Sequence, residues 1–146
     1  MTEAYYEKPY WVVDLLPEQV PPDSPGRYFA VEGFYLEPPR YAALRRRFAD
    51  ILLKLYCYYD MEAGGPEDDA FRRDIDPERL YAWITDNKRD LRILLPEERA
   101  LIALDRDDIC ITVYDPSPVL LRRIGQLAAA EGLFVWQPPR GEDKNT

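Results

Sequence analysis

Apolar side chains at Tyr41, Leu44, Phe48, Ile51, Leu52, Leu55, Tyr58 and Tyr59 recur at steps of three and four. That spacing lays one stripe along a helix. Arg45, Arg46, Asp50 and Lys54 fill the remaining positions, so a helix is predicted from Pro39 to about Tyr59 with its arginines toward water. Pro38-Pro39 opens it, because proline is tolerated where the first-turn N–H has no partner, and Gly64-Gly65-Pro66 closes it. A second helix is predicted over 117–131, with Ser117 as N-cap, Pro118 at the first position and Gly132 just past the end. Its apolar face is Val119, Leu120, Ile124, Leu127 and Ala128. A short inserted helix is expected over 77–87, capped by Asp76 and burying Leu80, Tyr81, Trp83 and Ile84.

Strand patterns take a period of two instead. ALIALD (100–105) and ICITVYD (109–115) flank Arg106-Asp107-Asp108 and read as a β-hairpin. Within it Ile109, Ile111 and Val113 share one face, while Cys110, Thr112 and Tyr114 share the other. LFVWQ (133–137) is a strand, and LRILLP (91–96) is a short strand or turn. RYFAVEGFYL (27–36), with four aromatic residues and Val31, returns to strand composition and reads as a strand, with Gly33 marking a bulge or a close backbone approach. YWVVDLL (10–16) is also β-prone, and the four prolines of PEQVPPDSPG (17–26) make the next segment an irregular loop.

In order, strand 27–36, helix 39–59, strands 100–105 and 109–115, helix 117–131 and strand 133–137 form a split β-α-β pattern. The expected fold is therefore α+β: a ferredoxin-like sandwich with an antiparallel sheet and two long helices on one face. The N-terminal strand and the 77–87 helix would decorate it. The second sheet face would be covered by Trp11 and Trp83, or left open with Tyr35, Tyr114 and Trp136 (or Phe134) as an aromatic platform. One domain is expected over 1–139, with an acidic connection at 60–76 and a flexible tail at 140–146.

Charge narrows the function. The 146 residues carry 27 acids against 19 Lys plus Arg, a net charge of −8. That sign opposes any nucleic-acid binding that relies on neutralising phosphates. No histidine is present, which removes the usual general base and the commonest metal ligand. Neither glycine-rich phosphate-loop pattern occurs, and Cys57 and Cys110 have no second cysteine at metal or dithiol spacing. The expectation for both is a buried, reduced thiol. Asp105, Asp107 and Asp108 resemble part of a calcium loop, but Cys110 and Pro116 stand where an EF-hand needs glycine and glutamate, so turn chemistry is the better reading. No cofactor or metal is expected. The opening residues lack the pattern of a secretory signal and no stretch is long enough to span a bilayer, so the cytoplasm is the expected compartment.

The acids concentrate in one place. Between residues 60 and 78, eight of them face only Arg72 and Arg73. With Phe71 embedded among them, this segment is the candidate docking surface for a basic protein: Glu67, Asp68, Asp69, Phe71, Asp74 and Asp76, joined by Tyr114 and Trp136. A small, acidic chain without catalytic machinery is similar in general character to immunity proteins that capture secreted nuclease toxins in bacteria. The expected function is thus a non-enzymatic, immunity- or inhibitor-type domain. The alternative is a homo-oligomer, such as a homodimer, that binds a small molecule on the aromatic sheet face.

Overall fold

A computed structural model describes residues 2–139; the tail expected at 140–146 lies outside them. After a 3₁₀ turn at Glu3–Glu7 come strand β1 (Tyr10–Asp14) and helices α1 (Tyr28–Tyr35) and α2 (Pro38–Tyr56). Strand β2 (Glu62–Gly64), helix α3 (Pro77–Thr85) and strands β3 (Leu91–Leu95), β4 (Ala100–Leu104) and β5 (Ile111–Tyr114) follow. Helix α4 (Pro118–Ala130) and strand β6 (Phe134–Trp136) complete the chain. The strands build one antiparallel sheet in the order β2-β3-β4-β5-β1-β6. The fold is α+β, an open sheet with α2, α3 and α4 packed on one face.

Two expectations are overturned together. Residues 27–36 are not a strand but carry the eight-residue helix α1, and Gly33 sits inside it rather than at a bulge. Residues 10–14, far from decorating the sheet, occupy the slot between β5 and β6. The register explains the exchange. Val13 pairs with Ile111 and Trp11 with Val113, so the alternation of β1 completes the helix-side face, whereas Val12 and Tyr10 face the other way with Thr112 and Tyr114. With that slot filled, 27–36 has no ladder partner, and aromatic composition alone does not make a strand.

The hairpin, the three other helices and the 91–95 strand appear where the patterns put them. Ser117 Oγ accepts from the Leu120 amide at 3.1 Å, closing the start of α4, and Gly132 follows its end at φ +75°. Asp76 stands at the N-cap of α3 without capping through its side chain. Helix α2 ends at Tyr56, so Tyr58 and Tyr59 lie beyond it, and Gly64 belongs to β2 instead of terminating the helix.

Helices α2, α3 and α4 bury Phe48, Leu55, Leu80 and Ile124 against Ile93, Ile102, Ile111 and Val113 of the sheet. Arg45 departs from its expected solvent position: it is 1% exposed. Its Nε donates to the Ile84 carbonyl (2.8 Å), and Nη1 donates to the Tyr41 hydroxyl (3.2 Å) and the Asp105 carbonyl (3.0 Å). Cys57 is exposed, contrary to the expected burial, because it follows the last turn of α2. Cys110 is half-buried, and both thiols are free.

The second sheet face is covered over Tyr114 and Arg92, though not by Trp11 or Trp83. Trp11 shares the helix-side face with Val113, and Trp83 on α3 packs against the core of that same side. The cover is the N-terminal turn. Tyr6 meets Tyr114 edge-on at 5.3 Å, and its hydroxyl accepts from Arg92 Nε at 2.9 Å. Among the described residues, no helix is long and apolar enough to cross a membrane.

Candidate functional site

Strand β1 ends in Asp14, paired with Phe134, two residues along from the Val12–Trp136 pair. Two residues further along a strand is the same face, so the Asp14 carboxylate comes beside the Trp136 indole. Trp136 Nε1 donates to Asp14 Oδ2 at 3.3 Å, and the Leu15 amide donates to Oδ1 at 2.8 Å. From Asp14 the proline-rich segment leaves the sheet, turns at Pro21–Ser24 and delivers the chain into α1. It cannot lie flat on the ladder, since its prolines lack the donors a strand needs.

A cavity of about 520 Å³ lies between this segment, α1 and the second face of the sheet. Five carboxylates line it, from Asp14, Glu18, Glu32, Asp107 and Asp108, and among the described residues no lysine or arginine does. Tyr28, Phe29 and Trp136 supply aromatic wall, and Val12 and Ile109 apolar floor. The volume lies within the ordinary range for a small-ligand or side-chain site.

The carboxylates are held by the loop that joins β4 to β5. Asp108 Oδ2 accepts from the Asp105 amide at 2.8 Å, and Asp107 exchanges two 2.8 Å hydrogen bonds with Asn87. Asp107 and Asn87 both adopt positive φ, +64° and +55°, which these side chains tolerate better than most. Expected turn chemistry thus organises the loop, and it also presents two acids to a cavity. Among the described residues, no group of three or more His, Cys, Asp or Glu could hold a metal ion.

Electrostatics follow from burial. Desolvation is the largest influence on Asp14 and Asp108 and pushes both carboxyls above their ordinary value, although backbone amides at Leu15 and Asp105 pull the other way. Desolvation also pushes the Cys110 thiol up to about 12, with Asp14 and Asp108 adding to it. A thiol in that state is a poor nucleophile at neutral pH. Tyr28 is raised to about 12 by burial first and then by Glu32, whose carboxylate accepts its hydroxyl at 3.3 Å. Every one of these shifts is what a cation placed in the cavity would relieve.

The eight residues singled out from sequence do not converge. Sheet order puts β2, with the acidic segment, at one edge and β6, with Trp136, at the other. Of the eight, only Trp136 lines the cavity. Tyr114 lies between Tyr6 and Tyr10, with ring centroids at 5.3 and 5.7 Å, and Tyr35 is on α1, so the expected aromatic platform does not form.

The acidic segment is tied down through local contacts. Ala63 and Arg72 exchange backbone hydrogen bonds of 3.0 and 2.8 Å, Gly65 donates to Asp68 at 2.8 Å, and Arg73 pairs with Glu62 at 3.2 Å. Glu67, Asp68, Asp69, Asp74 and Asp76 are exposed and Phe71 is half-buried. A smaller hollow of about 350 Å³ beside Asp68 is lined by Arg72, Arg89 and Trp83, so charge there is mixed. The cavity under the proline-rich segment carries one sign only among the described residues.

Its residues escaped the sequence reading for a physical reason. Treating 27–36 as a strand hides that Tyr28, Phe29 and Glu32 sit one helical turn or less apart, and nothing local links them to Asp14 or Asp108. The available signal was a terminal acid on a β-prone run followed by four prolines, which announces a chain reversal beside a carboxylate. No protein family, curated protein or solved structure matches this chain.

Proposed function

We propose that this chain is a binding domain that captures a basic protein partner and performs no reaction of its own, in the manner of an immunity or inhibitor protein acting in the cytoplasm. One observation carries the reading: a cavity of about 520 Å³ is lined, among the described residues, by five carboxylates and three aromatic rings and by no basic side chain. Such a surface favours a guanidinium or ammonium group, through charge pairing and through the negative faces of the rings. The net charge of −8 adds long-range attraction toward a basic partner and speeds encounter. The exposed carboxylates of Glu67, Asp68, Asp69, Asp74 and Asp76 contribute to that field from the opposite edge of the sheet.

For the fold we propose a ferredoxin-like core with a different first strand from the one expected. Strands β4-β5-β1-β6 with α2 and α4 follow the order of a split β-α-β unit when β1 takes the leading place, and β2 and β3 then extend one edge.

Affinity capture from host lysate at low and high salt tests the functional reading. Basic proteins retained at low salt and released at high salt are the expected result. Retention of neutral or acidic proteins irrespective of salt contradicts it.

A further inference from the structure

Helix α1 buries none of its residues. Tyr28, Glu32 and Tyr35 point toward the hollows beside it, which leaves Phe29, Ala30, Gly33 and Phe34 on its outer side. Phe29 is 82% exposed and Phe34 51%. Between them Gly33 lies in open space: a Cβ built there meets no atom within 4 Å. Glycine inside a helix is unfavourable, and no packing among the described residues requires one here. Phe34 is braced from one side by Arg40, whose guanidinium carbon is 3.6 Å from the ring centre and whose Nε donates to the Phe34 carbonyl at 2.7 Å. Phe29 also lines the acidic cavity, so apolar strip and carboxylates are continuous.

Resting on the functional reading above, we infer that the outer face of α1 and the adjoining cavity form one docking surface for a basic, amphipathic segment of the partner protein. An apolar side chain of that segment seats on Ala30 and Gly33 between the two phenylalanines. A neighbouring arginine or lysine reaches past Phe29 to Asp14, Glu18 and Glu32. Charge complementarity selects this occupant over a second copy of the chain docked mouth to mouth, which would set the carboxylates of Asp14, Glu18 and Glu32 against their own counterparts.

The test is an NMR titration of the full chain with three short synthetic peptides: alternating leucine and arginine, alternating serine and arginine, and alternating leucine and glutamate. The first should shift the α1 amides and the Trp136 indole, the second should bind roughly tenfold more weakly, and the third not at all. Gly33→Gln projects a side chain into the slot from a Cβ that meets no neighbour within 4 Å, and Phe29→Ser removes an exposed anchor. Both should fold normally, and each should weaken the leucine–arginine peptide by about tenfold. Shifts confined to residues 65–76 overturn this surface while leaving capture of a basic partner standing. Equal binding of the glutamate peptide, or no binding of any, overturns both. A dimer in light scattering that Phe29→Ser dissolves also overturns the docking proposal, in favour of self-association.

Discussion

Arg92 Nη1 donates to the carboxylate of Asp105 at 2.6 Å, and the main-chain carbonyl of that same Asp105 accepts from buried Arg45 at 3.0 Å. One residue at the end of β4 therefore holds two arginines that approach from opposite faces of the sheet. It also opens the loop that presents Asp107 and Asp108 to the cavity. Stability and site are joined at this point.

Removing Arg45 takes the Nε donor from the Ile84 carbonyl and leaves the Asp105 carbonyl with the Asp108 amide alone (3.2 Å), and it opens a void, so Arg45→Ala should destabilise by about 3 kcal/mol. Among the described residues, Arg45 Nη2 has no hydrogen-bond partner, so part of the native arginine is itself unfavourable. Arg45→Met, which fills the space and brings no charge, should lose only about half as much. Urea denaturation ranks the two, and the reverse order contradicts the account.

Asp105→Asn keeps the backbone contact to Arg45 but weakens the carboxylate pair with Arg92, at a loss of about 2 kcal/mol. Tyr6→Phe removes only the hydroxyl that accepts from Arg92 and lies 3.0 Å from Thr2 Oγ1, at about 1 kcal/mol. Both changes should free the N-terminal turn from the sheet, read as faster amide exchange over residues 3–7.

Gly64 bears on the acidic segment. A Cβ there would stand 2.7 Å from the Phe71 ring and 2.8 Å from the Asp68 carboxylate. Gly64→Ala should push Phe71 outward and cost about 2 kcal/mol. Exchange at the Arg72 amide, bonded to the Ala63 carbonyl at 2.8 Å, reports the loosening.

Asp14 and Asp108 have carboxyls raised by burial, so the folded protein holds their protons more tightly than the unfolded chain does. As pH rises from the ordinary carboxyl value through the raised one, these two groups make the fold less stable, and the loss is complete above it. Asp14→Asn removes that penalty at pH 7 and should raise the melting temperature there, while weakening binding of a basic peptide. Thermal melts at pH 4 and pH 7 check the sign: the gain should be present at pH 7 and shrink at pH 4.

Much of the architecture was legible from residues alone. The α2 stripe from Tyr41 to Leu55, the 100–114 hairpin and the Ser117–Gly132 helix each carry a local signal that tertiary contacts reinforce. The first strand did not, because 27–36 and 10–14 are both rich in aromatic residues. Only the pairing of Val13 with Ile111 decides which of them enters the sheet. Arg45 was misread for a related reason: its place on the helix wheel suggested water, yet the Ile84 and Asp105 carbonyls draw it inward. The cavity is assembled from residues as far apart as Asp14 and Trp136, and no local pattern records that distance closing.

The most direct measurement is a titration followed at the Trp136 indole N–H, using n-butylguanidinium and its neutral isostere n-butylurea. The account predicts that the guanidinium shifts this signal and the Asp14 and Asp108 amides, with the effect shrinking as salt is added, while the urea leaves them in place. Equal shifts from the two compounds, or guanidinium shifts restricted to residues 65–76, would contradict it.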